Sequence, residues 1–218
     1  MKVIVLAAGQ ATQLDGFNKL LIKHPKTRKT IIETLSESFS GMEMTIVLGY
    51  RAINVMHEYP SLNYIYNHDW AISNSSYSLS IAMEEYEPCF VVSGDLFISK
   101  DLVKSMMDGP ENLVATLQNE SRSLNALNVS HENKQINDIY QGKLRDTSDP
   151  EAVGIYKISS RNLLKRWKQN CSKYTNLFIG QNLIIENDEE IFMHDINGFE
   201  FSEINTPEDF IRLTDNAN

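Results

Sequence analysis

The opening stretch Met-Lys-Val-Ile-Val-Leu-Ala-Ala-Gly constrains this chain more than any other. From Lys2 to Ala7 the residues are mostly branched and apolar, the pattern of a strand buried on both faces of a parallel sheet. A polar loop bearing Gly9 follows and runs to about Asn18. The apolar run is too short for a secretory leader and passes straight into that loop, so a buried strand is the expectation.

Strand and helix alternate from there. Ile31, Ile32, Leu35 and Phe39 recur at helical spacing, and Gly41 closes the helix. The pattern predicts strands over 44–48, 62–66 and 89–92, with helices over 52–58 and 77–86, and Pro88 parting the last helix from its strand. This order requires right-handed crossovers and a mostly parallel sheet. The second half changes character: strands over 113–117, 124–129, 136–140 and 153–158 are set off by short polar turns, which predicts an antiparallel extension. A helix over 160–169 carries Leu163, Leu164 and Trp167, with its basic residues on a solvated face. Strands near 191–194 and 200–204 lead to a last helix. Thr206 caps it, Pro207 takes the first position, and Glu208 and Asp209 stand in the first turn. The expected fold is α/β: a mostly parallel, Rossmann-like sheet with helices on both faces, in a single domain over 1–218.

Composition bounds the function. The chain has 218 residues, 42% hydrophobic and 22% charged, enough to fill a core. Its net charge of −9 repels a phosphate backbone and argues against general nucleic-acid binding. A single nucleotide is a different matter, because backbone amides, a lysine and a divalent metal outweigh a distant net charge. Cys89 and Cys171 lack CxxC spacing, which points away from a zinc site or a disulfide framework. No run approaches the roughly 18 apolar residues of a membrane span, so no membrane partner is expected and the cytoplasm is the expected location.

Three stretches carry the chemistry. Small residues leaving the first strand, Leu6, Ala7, Ala8, Gly9, Gln10, Ala11 and Thr12, let backbone amides approach phosphate closely, and Lys19 follows within reach. An ordinary strand-to-helix loop is the other reading; the glycine pattern is neither a Walker loop nor GxGxxG. Val91-Val92-Ser93-Gly94-Asp95 ends a buried strand with a carboxylate at the sheet edge, where a hard oxygen ligand suits Mg²⁺, or where an aspartate caps a helix. Alternation in Glu203-Ile204-Asn205 puts two oxygen-bearing side chains on one side, for the metal or for a turn.

Taken together, these stretches resemble the nucleotidyltransferase superfamily with a GT-A-like fold. Leu6-Ala7-Ala8-Gly9 resembles its opening signature, Lys19 its lysine, Gly94-Asp95 its metal-binding step, and 203–209 its Glu-Ile-Asp-Thr-Pro-Glu-Asp run. Three residues depart from the pattern: Ala11 stands where a second glycine is usual, Gln13 for an arginine, and Asn205 for an aspartate. A narrower likeness lies in Asn67-His68-Asp69-Trp70 and Asn74-Ser75-Ser76-Tyr77-Ser78-Leu79, similar to a stretch of choline-phosphate and aminoalkylphosphonate cytidylyltransferases. The same polar cluster is also what a helix start needs.

The resemblance implies catalytic roles for Lys19 and Asp95, with Mg²⁺ held by Asp95, Glu203 and Asn205. Residues 6–12, Lys19, Asn74, Ser78 and Gly94 would bind the nucleotide, with CTP favoured. By the same token 1–110 forms the nucleotide part and 111–218 the part for a small phosphate or phosphonate acceptor. A cationic acceptor wants aromatic faces or carboxylates, so Tyr77, Glu151 and Tyr156 are the candidates there, with Trp70 and Tyr140 behind them. The rival functions are a nucleotide-binding pseudoenzyme, a sugar-1-phosphate nucleotidyltransferase and a glycosyltransferase of similar architecture. The last usually carries an Asp-x-Asp step that is missing after Ser93-Gly94.

Overall fold

The computed structural model describes residues 1–119 and 126–215. Strand β1 (Lys2–Ala7) is buried as its composition requires. Val3 and Val5 face one core and Ile4 the other, all three 3% exposed or less. The chain continues through α1 (Ile31–Ser38), β2 (Glu43–Leu48), α2 (Ala52–Glu58), β3 (Asn63–Tyr66), α3 (Ser75–Ala82), β4 (Cys89–Ser93), β5 (Leu96–Ile98) and α4 (Lys100–Met107). The later elements are β6 (Leu113–Leu117), β7 (Leu127–Glu132), β8 (Gln135–Gln141), β9 (Glu151–Ile158), α5 (Arg161–Lys173), α6 (Ile179–Ile184), β10 (Phe192–Asp195), β11 (Phe201–Glu203) and α7 (Pro207–Asp215).

Among the described residues, nine strands form one sheet in the order β3-β2-β1-β4-β9-β6-β10-β8-β7. The pairings set β9 and β8 against the direction shared by the rest. The sheet is therefore mostly parallel with an antiparallel part in the second half, as expected. Helices cover both faces: α1, α2 and α4 pack on the core of Val3 and Val5, and α3, α5 and α6 on the core of Ile4. Strand β9 obeys the two-residue period, with Val153 and Ile155 in the first core and Tyr156 and Ile158 in the second.

Local chemistry explains the boundaries. Helix α1 begins at a capping box: Thr30 Oγ1 accepts from the Glu33 amide at 3.3 Å, and Glu33 Oε2 accepts from the Thr30 amide at 2.7 Å. Helix α3 starts two residues before the expected position because Asn74 caps it, and it ends at Ala82 rather than Tyr86. Beyond it Lys2 ties Glu84 at 2.7 Å and Glu87 at 2.8 Å into a turn, and Pro88 disfavours helix in the residue before it. Elements β5, α4 and α6 were not anticipated. Leu124, where one strand was expected to begin, lies outside the described residues; that strand, β7, starts at Leu127.

The chain order places β2 on one side of β1 and β4 on the other. Such a reversal opens a crevice beyond the carboxyl ends of the two strands, the usual ligand position in open α/β sheets.

Candidate active site

A cleft of about 320 Å³ occupies that crevice. It is floored by the ends of β1 and β4, which come unusually close. The Gly94 amide donates to the Leu6 carbonyl at 2.9 Å. A Cβ at Gly94 would stand 2.7 Å from the Ala7 Cβ and 2.9 Å from that carbonyl. Only glycine fits this approach.

Lys19 enters the cleft from a short 3₁₀ turn over Lys19–Leu21, capped by Asn18, whose Oδ1 accepts from the Leu20 amide at 3.1 Å. Its ammonium donates to Asp95 Oδ2 at 3.0 Å and to Asn205 Oδ1 at 2.6 Å. Asp95 stands in the two-residue turn between β4 and β5, just after Gly94. Asn205 and Glu203 arrive from the far end of the chain through β11, which pairs antiparallel with β5 and sets Glu203 opposite Leu96. The Ile204 amide donates to the Asp95 carbonyl at 3.0 Å, locking the two stretches together. Asp209 at the head of α7 accepts from the Asn205 amide at 2.9 Å, so the capping sequence after Asn205 fixes where it stands. Asn205 Nδ2 in turn donates to Glu203 Oε1 at 2.6 Å.

The electrostatics follow. Glu203 as a whole residue is exposed, yet its carboxylate is closely surrounded by protein atoms. That desolvation, followed by the charge of Asp95, pushes its acid up to about 7, with Glu151 adding to the rise and Asn205 and Lys19 opposing it. Asp95 Oδ1 is buried without a hydrogen-bond partner. A buried carboxylate oxygen left unpaired beside a second carboxylate is costly, and a hard cation resolves the cost. No group of three or more His, Cys, Asp or Glu that could hold a metal occurs among the described residues. Two carboxylates and one amide oxygen nevertheless suit Mg²⁺, which keeps several waters and shares its shell with substrate phosphates.

The cleft gathers most of the residues singled out for the nucleotide and metal. Leu6, Ala7, Gly9, Gln10, Ala11, Thr12, Lys19, Gly94, Asp95 and Asn205 line it. Ala8 is buried behind them, its carbonyl accepting from the Tyr50 amide at 3.0 Å. Ala11 sits at φ −38°, so the loop makes no demand there for the left-handed conformation that glycine would supply. Gln13 and Asn18 also line the cleft, although neither was singled out as a ligand. Asn18 was readable as a cap-type residue just before Lys19-Leu20-Leu21.

Other residues stand elsewhere. Asn74 Oδ1 caps α3 through the Ser76 amide at 2.9 Å, and its Nδ2 donates to the Leu177 carbonyl at 3.0 Å. Ser78 is buried and accepts from Asn67 Nδ2 at 3.0 Å. Neither is part of the cleft wall. Tyr77 is half-buried, its hydroxyl held by Asp69. Tyr156 is 1% exposed and packs on Trp167 with ring centroids 5.6 Å apart, so it presents no surface to an acceptor. Tyr140 is spent on Asp149 Oδ2 at 2.5 Å, and Trp70 packs on Tyr50. Of the acceptor candidates, Glu151 is the one whose charge reaches the Glu203 carboxylate.

A sheet reversal holding a lysine and an acid pair above a glycine-bearing loop defines a nucleotidyltransferase. Residues 3–173 match the MobA-like NTP transferase domain, and the chain belongs to that family. Among solved structures, the CTP:phosphocholine cytidylyltransferase LicC from Streptococcus pneumoniae superposes with a TM-score of 0.77 at 18% identity, covering 100% of this chain and 99% of its own. A putative glucose-1-phosphate thymidylyltransferase from Bacillus anthracis gives 0.76 at 16% identity, covering 100% and 95%. The inositol-1-phosphate CTP transferase from T. maritima gives 0.68 at 18%, covering 99% and 95%. At these identities the likeness is one of fold. No curated protein matches the sequence. No helix among the described residues is long and apolar enough to cross a membrane.

Proposed function

We propose that the protein is a cytidylyltransferase that moves CMP from CTP onto a small phosphate or phosphonate acceptor and releases pyrophosphate. The carrying observation is the meeting of Lys19, Asp95 and Asn205, from three distant stretches, in the wall of one cleft, with Glu203 hydrogen-bonded to Asn205 just outside that wall. An acceptor oxygen attacks the α-phosphorus in line, and the bond from that phosphorus to the oxygen bridging to the β-phosphate breaks. Such chemistry asks the protein for alignment and charge neutralisation and for no covalent intermediate.

The backbone of residues 8–12 cradles the leaving phosphates, and Leu6 to Ala8 meet the base. Lys19 neutralises charge that grows on the phosphates in the transition state. Asp95 and Glu203, with Asn205, would hold Mg²⁺, which supplies Lewis-acid screening of the α-phosphate from the incoming anion. Glu151, on the antiparallel side, suits the positive end of a phosphocholine-like or aminoethylphosphonate-like acceptor. On this reading residues 1–110 serve the nucleotide and 111–218 the acceptor within one domain. CTP is supported by the names of two of the structures above, one acting on phosphocholine and one on inositol 1-phosphate, and a cationic acceptor by the first of them.

The test is a pyrophosphate-release screen of four NTPs against phosphocholine, 2-aminoethylphosphonate, inositol 1-phosphate and sugar 1-phosphates. Release with CTP and a cationic acceptor is expected. Release only with another NTP and a sugar 1-phosphate overturns the cytidylyl assignment, and silence in every pair overturns the transferase assignment of the cleft.

A further inference from the structure

We propose that Lys19 is the resident counter-ion of the Asp95–Glu203 pair before nucleotide binds, that Asn205 holds it there, and that a divalent cation therefore enters together with the nucleotide. The inference rests on the nucleotidyltransferase reading of the cleft and concerns the order in which its charges assemble.

Lys19 and Asp95 are the charged residues of the cleft wall, and they pair with each other at 3.0 Å. Gln13, at a position where the pattern usually carries arginine, adds no charge. The ammonium thus occupies one oxygen of Asp95 and the oxygen of Asn205, two of the atoms a metal would need.

The orientation of Asn205 is dictated by its neighbours. Its oxygen meets a donor-only ammonium at 2.6 Å, which alone fixes the amide, and its nitrogen donates to the Glu203 carboxyl oxygen at 2.6 Å. Flipping the amide would set donor against donor. Asn205 therefore works as a two-sided clamp, one side on Lys19 and the other on Glu203. An aspartate in its place would offer Glu203 a like charge instead of a hydrogen bond.

With Lys19 in place, the charges of Lys19 and Asp95 cancel, and Glu203, its acid pushed up to about 7, adds at most one negative charge, a weak attraction for a free divalent ion. A triphosphate offers the ammonium a far more negative partner. Once Lys19 turns to it, Asp95 Oδ2 and the Asn205 oxygen lose their ammonium, Asp95 Oδ1 is already without a partner, and Glu203 stands beside Asn205, oxygens of the kind that a divalent ion accompanying the phosphates requires.

The experiment is Mn²⁺ titration followed by electron paramagnetic resonance on the intact protein, with and without a non-transferable CTP analogue. Circular dichroism confirms the fold of each variant. Without nucleotide, Lys19→Met is expected to bind Mn²⁺ about tenfold more tightly than the unaltered protein, from removal of one nearby positive charge. Lys19→Arg keeps the charge and is expected to stay as weak as the unaltered protein. The analogue should bring the unaltered protein to the affinity of Lys19→Met or beyond. Lys19→Gln must repeat the gain of Lys19→Met if charge is the cause.

Equal Mn²⁺ affinity of the unaltered protein and Lys19→Met without nucleotide overturns the counter-ion role. So does a gain in Lys19→Arg equal to that in Lys19→Met. If calorimetry shows that the analogue itself does not bind, the nucleotide reading of the cleft fails and takes this proposal with it. If it binds and only the Mn²⁺ pattern fails, the cleft assignment stands alone.

Discussion

Two polar clusters sit on this sheet, and they are built on opposite logic. At the head of α3, Asn67 is 1% exposed and fully employed: its Nδ2 donates to Ser73 at 2.9 Å and Ser78 at 3.0 Å, and its Oδ1 accepts from the Asp69 amide at 2.8 Å. Ser76 donates to the Leu177 carbonyl at 2.6 Å and accepts from Asn182 at 2.9 Å. The leftover atom there, Asn182 Oδ1, is an uncharged amide oxygen. At the ends of β1 and β4 the reverse holds. Asp95 keeps an unpaired buried oxygen, and desolvation, with the charge of Asp95 second, pushes the Glu203 acid up to about 7. Neutral groups that satisfy one another make structure; charges brought together and left short of partners make a place for a ligand.

The sharpest separation of the two is functional. Asp95→Ala is expected to lower turnover about 10³-fold or more, the scale of losing a principal electrostatic contact, with the melting temperature nearly unchanged or raised. Retained turnover at saturating Mg²⁺ would remove the acid from the chemistry and erase the contrast. Gly94→Ala comes next: its Cβ has no room against Ala7 and the Leu6 carbonyl, so the floor of the cleft must part by several tenths of an ångström. About a tenfold to hundredfold fall in kcat/KM is expected from such a displacement near the reacting atoms. An unchanged kcat/KM would mean that the close approach of β1 and β4 is a matter of packing alone.

Much of the cleft was legible in the sequence because its parts obey strong local rules. A branched run made β1, a strand end made Asp95 available, and Thr206-Pro207-Glu208-Asp209 announced a helix whose cap also holds Asn205. The joining of those parts was not legible. It depends on β5, three residues long and too short to show a period, and on its pairing with β11 across more than a hundred residues. Helix α4 has a readable signal, Ser99 as its cap and Leu102, Val103 and Met106 at helical spacing. Tyr156 obeys the same alternation as Ile158, since even-numbered residues of β9 point into the second core, and so it is no acceptor surface. Lys157 carries no local signal of its role. It is 4% exposed, and its ammonium donates to the carbonyls of Met106 at 2.8 Å and Gly109 at 3.0 Å, closing the end of α4.

The α3 cluster should respond in stability and leave catalysis alone. Asn67→Ala removes three hydrogen bonds and leaves the buried Ser78 hydroxyl without its donor, which predicts a loss of about 2–3 kcal/mol in urea unfolding. Turnover per folded molecule should stay within a factor of about three, on the scale of effects that do not touch the transition state. A large fall in kcat with native stability would put this cluster inside the chemistry.

The smallest expected effect is the most discriminating, because Asn74 is the residue that resemblance placed at the nucleotide and geometry placed at a helix cap. Its Oδ1 already accepts from Ser76 and its Nδ2 already donates to Leu177. As a cap, Asn74→Ala should cost about 1 kcal/mol and Asn74→Ser much less, since serine preserves an acceptor for the Ser76 amide, while Asn74→Asp keeps that acceptor but sets a carboxylate oxygen against the Leu177 carbonyl and should cost more than serine. None of the three should move KM for CTP beyond about twofold, the scale of uniform binding left intact. As a base-binding residue, Asn74 would behave differently: alanine and aspartate would both raise KM, aspartate at least as much, whatever they do to stability. Measuring unfolding and KM on the same three variants separates the two roles, because a cap and its tie to Leu177 are read in stability alone, whereas a base contact is read in KM.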